Sequence, residues 1–180
     1  MNSGGDGMSL RHISLSTCGV VPRIYDLAEL KTGLTLSISL HAATDERRSE
    51  IMPINRKYPL DELMEACRYY FDKTGRRISF EYSLIEGVND TEQSAQELIN
   101  LLGGMLCHVN LIPINEIRER DFRKSRSVER FQKRLCDAGI NATVRRTLGA
   151  DINAACGQLR RDDGMNEQGS PSDNTTGGEL

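Results

Sequence analysis

The sequence predicts an α/β fold in which four or five parallel strands alternate with helices, as in part of a (β/α) barrel. Three observations carry this reading. Short β-rich runs recur along the chain, each ending in polar residues and followed by a helical stretch. Strands joined through helices need crossover connections, which favour parallel pairing. A closed eight-stranded barrel takes about 250 residues, and this chain has 180.

Each element has its own signal. "HISLSTCG" (12–19) reads as a strand and turn, and "LTLSISLHA" (34–42) alternates apolar and polar residues up to His41. "PLDELMEACRYYFDKTG" (59–75) places Leu60, Leu63, Met64, Cys67 and Tyr70 near a 3.6-residue period and ends on Gly75, a helix with its stop. The strand "RISFEYSLIEG" (77–87) follows, then a helix over 90–104 opened by an Asn-Asp-Thr capping signal. The strand "HVNLIPIN" (108–115), the helix "SVERFQKRLCDAG" (127–139) and the strand "ATVRRT" (142–147) complete the ordered part. The first strand has no visible neighbour on its N-terminal side, which leaves an edge. Residues 1–10 form a Gly-rich lead, and 162–180, poor in large apolar residues, are expected to be a disordered acidic tail.

Composition narrows the function classes. With 38% hydrophobic residues the chain suits one globular domain. It has neither a membrane-length apolar run nor a signal-peptide pattern, so a soluble, cytoplasmic protein without a membrane partner is expected. The five cysteines, at 18, 67, 107, 136 and 156, have no CxxC spacing and are expected to be free thiols. The net charge of -3 hides a basic segment: residues 117–161 hold twelve Lys or Arg against five Asp or Glu. Such a segment is either a solvated helical face or a surface for an anionic partner.

In parallel α/β sheets ligands sit at the carboxyl ends of strands. Polar residues cluster at those ends: Ser16 and Thr17, Ser39 and His41, Glu86 and Asn89, Asn110 and Asn115, Arg145 and Arg146. Singly each has a bland reading, as a turn serine, a boundary histidine or a turn asparagine. An acid–base pair of His41 and Glu86 in an unrelated enzyme is one alternative. No GxGxxG, GxxxxGK[ST] or HExxH pattern occurs. Cys67, Cys107 and Cys136 fall in or beside apolar elements and read as small hydrophobes. Cys156 lies beyond the last strand, beside Gly157 and after arginines that favour a thiolate, so composition leaves burial and function both open.

The blocks "RHISLSTCGVVPRI", "LSISLHAATDERRSEIMPINRKYPLDEL", "FEYSLIEGVND", "VNLIPIN" and "VRRTLGADINAACGQL" occur in the order of a known family. Over about residues 8–161 the chain resembles the RlmN family of radical S-adenosylmethionine (SAM) methyltransferases, which modify carbon 2 of adenosine in 23S rRNA and tRNA. The resemblance implies a partial barrel of the radical SAM type with its N-terminal strands missing, residues 11–161 forming the C-terminal part of the methyltransferase domain. It implies SAM contacts at Ser16, Ser39, Leu40, His41 and Asn115, and Cys156 as the cysteine that carries the methyl group as S-methylcysteine. The family also uses a [4Fe-4S] cluster, a second cysteine and an electron donor such as flavodoxin. The cluster motif CxxxCxxC and the Gly-Glu-Pro motif are absent from this sequence, so no metal ligand is assigned. The expectation is a monomeric chain that is inactive alone, with a non-catalytic RNA-binding module built on 117–161 as the alternative.

Overall fold

The computed structural model describes residues 13–85, 87–114 and 126–145. They lie in the compact unit Met1–Arg146; a second unit, Thr147–Leu180, is outside the described residues, as are the Gly-rich lead and the expected tail. Five strands, β1 (Ser14–Thr17), β2 (Thr35–Ser39), β3 (Ile78–Ile85), β4 (Cys107–Ile114) and β5 (Asn141–Val144), form one sheet in sequential order. Every pairing is parallel. The connections carry α1 (Val21–Glu29), α2 (Asp45–Ile51), a 3₁₀ turn (Pro53–Arg56), α3 (Leu60–Thr74), α4 (Glu92–Leu102) and α5 (Arg126–Asp137). This sequential parallel order is that of barrel folds rather than of doubly wound sheets.

Local chemistry sets the helix ends. Thr44 caps α2, its hydroxyl accepting from the Arg47 amide at 3.4 Å, and Thr91 caps α4 by accepting from the Ser94 amide at 3.1 Å. Gly75 closes α3 at φ +64°, a left-handed conformation that glycine adopts without a Cβ penalty. Two helices had no distinct sequence signal. In α1 a proline stands in the first turn and no side chain caps the end, and α2 is only seven residues long and mostly charged.

The two faces of the sheet differ in kind. Leu36 and Ile38, then Ile78, Phe80, Tyr82 and Leu84, then Val109, Leu111 and Ala142 all join one buried core with the apolar sides of the helices. Alternation in the strands sends the remaining side chains the other way. Register lines them up across the sheet: Ser16, Ser37, Ser79, His108 and Asn141 form one row, and Ser39, Glu81, Asn110 and Thr143 the next. A parallel sheet is usually apolar on both faces. This one presents hydroxyls, amides, an imidazole and a carboxylate instead, groups that cost free energy unless water, protein or ligand satisfies them.

Candidate functional site

The polar face frames an open cavity of about 470 Å³. Serines of β1, β2 and β3 line it, together with Glu81, Asn110 and Arg145. Its carboxylate is prearranged. Glu81 Oε1 accepts from Asn110 Nδ2 at 2.9 Å, and Asn110 Oδ1 accepts from the Thr143 hydroxyl at 3.1 Å. The same hydroxyl lies 3.1 Å from His108 Nε2. Glu81 Oε2 is buried with no partner among the described residues. A desolvated carboxylate oxygen of this kind suits a ligand that brings hydroxyl or cationic donors.

One row further along lies the turn after β2. The amides of Leu40 and His41 both donate to the Glu81 carbonyl, at 3.0 and 3.3 Å, and the Ala42 amide turns back to the Leu40 carbonyl at 2.8 Å. His41 therefore sits at φ +59°, in the left-handed region. Its Nδ1 accepts from the Ser83 amide at 3.1 Å, which places the proton of the neutral ring on Nε2. Burial, and secondarily the Arg48 guanidinium, hold its pKa below the ordinary histidine value, against a weaker opposing pull from Glu81. His41 is thus a neutral donor at pH 7.

Of the expected SAM contacts, Ser16 lines the cavity and Ser39 ends β2 on the same face. Leu40 is fully buried, so its side chain belongs to the core and only its backbone reaches this region. Asn115 and Cys156 lie outside the described residues, as do Glu86 and Arg146. Asn89 is structural: its amide donates to the carbonyls of His41 and Ser83 at 2.9 and 2.7 Å, and its Oδ1 accepts from the Ile85 amide.

Arg48 and Glu81 were not apparent from the sequence. Arg48, in "DERRSEI", is the largest fully buried side chain among the described residues, while its neighbour Arg47 pairs with Glu97 at 2.9 Å. Nothing in a run of charged residues distinguishes the buried arginine from the paired one. Glu81 stands where strand alternation puts a polar residue, and its desolvation appears only once β2 and β4 flank it.

Cys67 and Cys107 are buried, and burial pushes their thiols up to about 12 and about 11. Cys136 is exposed on α5, not packed as a small hydrophobe, and Cys18 is exposed beyond β1. Among the described residues no group of three or more His, Cys, Asp or Glu could hold a metal ion. The described cysteines do not fit an iron–sulfur cluster, which takes several converging thiolates. In the described part of the basic segment, Lys133 pairs with Asp137 and Arg134 with Glu92, so these cations are locally compensated. Residues 117–125 and 146–161 of that segment lie outside the described residues. No helix among the described residues is long and apolar enough to cross a membrane.

No family model matches the chain. Among curated proteins it is 60% identical over 162 residues to a "probable dual-specificity RNA methyltransferase RlmN" of a Thermoanaerobacter species, covering 89% of this chain and 47% of the relative. A Clostridium perfringens protein of the same description is 58% identical over 159 residues, covering 87% and 46%. The chain spans about half the length of the curated relatives it matches. Among solved structures, a radical SAM methyltransferase from Sphaerobacter thermophilus superposes with a TM-score of 0.78 at 47% identity, over 87% of this chain and 47% of that one. A domain of pyruvate-formate lyase-activating enzyme from Bacteroides vulgatus shares the fold, with a TM-score of 0.57 at 16% identity over 74% of this chain and 80% of that one.

Proposed function

We propose, from the premise that the chain is homologous to the RlmN methyltransferases over about half their length, that the polar face of its sheet binds SAM for a radical SAM RNA methyltransferase. The observation that carries this reading is a juxtaposition. Ser16 and Ser39, expected as SAM contacts, stand on adjacent strands of the one polar face, with His41 directly after β2 and the unpartnered Glu81 oxygen opposite Ser39.

The chemistry of these groups fits such a ligand. Serine hydroxyls donate and accept, so they can hold ligand hydroxyls or a carboxylate. Glu81 offers a preoriented acceptor to a hydroxyl or a cationic centre, and neutral His41 offers an Nε2 proton to an acceptor without adding charge beside it. SAM, when bound, supplies an activated methyl group. Cys156, outside the described residues, is the proposed recipient, a role that needs a nucleophilic thiolate. The proposed substrates are 23S rRNA and tRNA at adenine carbon 2. The described cysteines cannot supply the family's cluster.

Isothermal titration of the chain with S-adenosylhomocysteine tests the reading. Saturable binding is expected, weakened about fivefold by Ser16→Ala, the loss of roughly one hydrogen bond. Absence of saturable heat at millimolar ligand would contradict it.

A further inference from the structure

Against the turns after β1 and β2 lies an unusual side chain among the described residues. Arg48 is fully buried, yet among the described residues no carboxylate lies within ion-pair distance of its guanidinium. Its acceptors are neutral. Nη2 donates to the Cys18 carbonyl at 2.8 Å and the Ser39 carbonyl at 3.3 Å, and Nε donates to the Leu40 carbonyl at 3.3 Å. Nη1 donates to Asn55 Oδ1 at 2.8 Å. A buried cation with no directly paired carboxylate is expensive, since Asp45, the counter-charge acting on it, is reached only through Asn55. Packing alone does not account for a guanidinium at this position.

We propose that Arg48 is a positioning residue: its planar guanidinium locks the turns after β1 and β2 to one another, and so fixes the ligand-binding ends of both strands. This rests on the reading that SAM binds there. The carbonyls it holds are those of Ser39 and Leu40, immediately before His41, and of Cys18, two residues after Ser16. One rigid fork thus spans two loops, which a lysine ammonium cannot reproduce.

Two further features fit this role. The fork is itself anchored. Asn55 Nδ2 donates to Asp45 Oδ1 at 2.8 Å and to Ser49 Oγ at 3.0 Å, and Asp45 Oδ1 also accepts from the Leu60 amide at 2.9 Å, tying the assembly to the start of α3. The chain also makes room for it. Gly19 stands at φ +99°, and a Cβ there would lie 3.2 Å from Arg48 Nη2 and 3.1 Å from Leu63. Glycine at this position lets the Cys18 carbonyl meet the guanidinium.

The test uses Arg48→Lys and Asn55→Ala, each compared with the parent chain at a temperature where its thermal melt shows it fully folded. Titration with S-adenosylhomocysteine should weaken at least about tenfold in Arg48→Lys, although charge and bulk are kept, and by less in Asn55→Ala. A folded Arg48→Lys chain with unchanged affinity would overturn the proposal. If Arg48→Lys does not fold, Asn55→Ala decides it by nuclear magnetic resonance without ligand: the amide signals of Gly19 and His41 should both move. Unmoved signals would overturn it. The same ligand-free measurement judges Arg48 even if the parent chain binds no SAM analogue, an outcome that would sink the functional reading alone.

Discussion

The carboxylate of Glu81 gives one oxygen to Asn110 and buries the other without a partner among the described residues. Folding therefore carries a desolvation cost that a ligand would relieve. Glu81→Gln, which keeps the shape and removes the charge, should stabilise the ligand-free chain by about 1 kcal/mol in a denaturant melt and weaken SAM-analogue binding. Loss of stability together with unchanged binding would point to an ordinary structural carboxylate. His41 makes a second prediction. Its folded pKa lies below the ordinary value of 6.5, so below that pH the unfolded chain binds the proton more readily. The contribution is present above about 6.5 and is lost as pH falls through the folded value. His108 is shifted the same way by burial. The comparison variant is therefore His41→Asn, which tolerates the positive φ and keeps His108. Between pH 7 and 5 the parent should lose more stability than the variant; equal losses would remove His41 as a source.

At the scale of elements, what could be read from the sequence depended on whether one element's pattern was self-sufficient. The apolar period over Leu60, Leu63, Met64, Cys67 and Tyr70 and the stop at Gly75 predict α3 to within a residue at each end, because periodicity and cap agree. In α1 no capping side chain marks the start, and α2 is a short charged run, although Arg48 within it is buried and held by carbonyls at the end of β2 and in the turns after β1 and β2, and by Asn55 of the 3₁₀ turn. Long-range burial of a single polar residue leaves no local trace. Cys136 shows the converse, since its position in a helical run does not reveal which side of α5 faces solvent. The thiols make this testable. In the native chain an aromatic disulfide reagent should modify Cys18 and Cys136 rapidly, and Cys67 and Cys107 only on unfolding, as peptide mapping can show. Rapid native labelling of Cys67 would contradict the packing of α3 on the sheet.

At the scale of the whole molecule, alternation along the strands separated two sets of residues without saying what each would face. Parallel pairing follows from the rhythm of strands and helices, whereas that rhythm is common to several folds and the sequential order β1 to β5 is visible only in the assembled sheet. The site was expected at the strand ends, and Ser39 and His41 are there. The polar surface runs further, down the rows through Ser37 and Ser79 to Asn110 and Thr143, because the helices cover only the opposite face of the described sheet. That asymmetry belongs to the assembled sheet and not to any one segment. The most direct measurement is a map of backbone amide shifts during titration with S-adenosylhomocysteine. The account predicts saturable changes at Ser16 to Gly19, Ser39 to His41 and Glu81, with the helix-covered core quiet; no changes, or changes centred on α3 to α5, would contradict it.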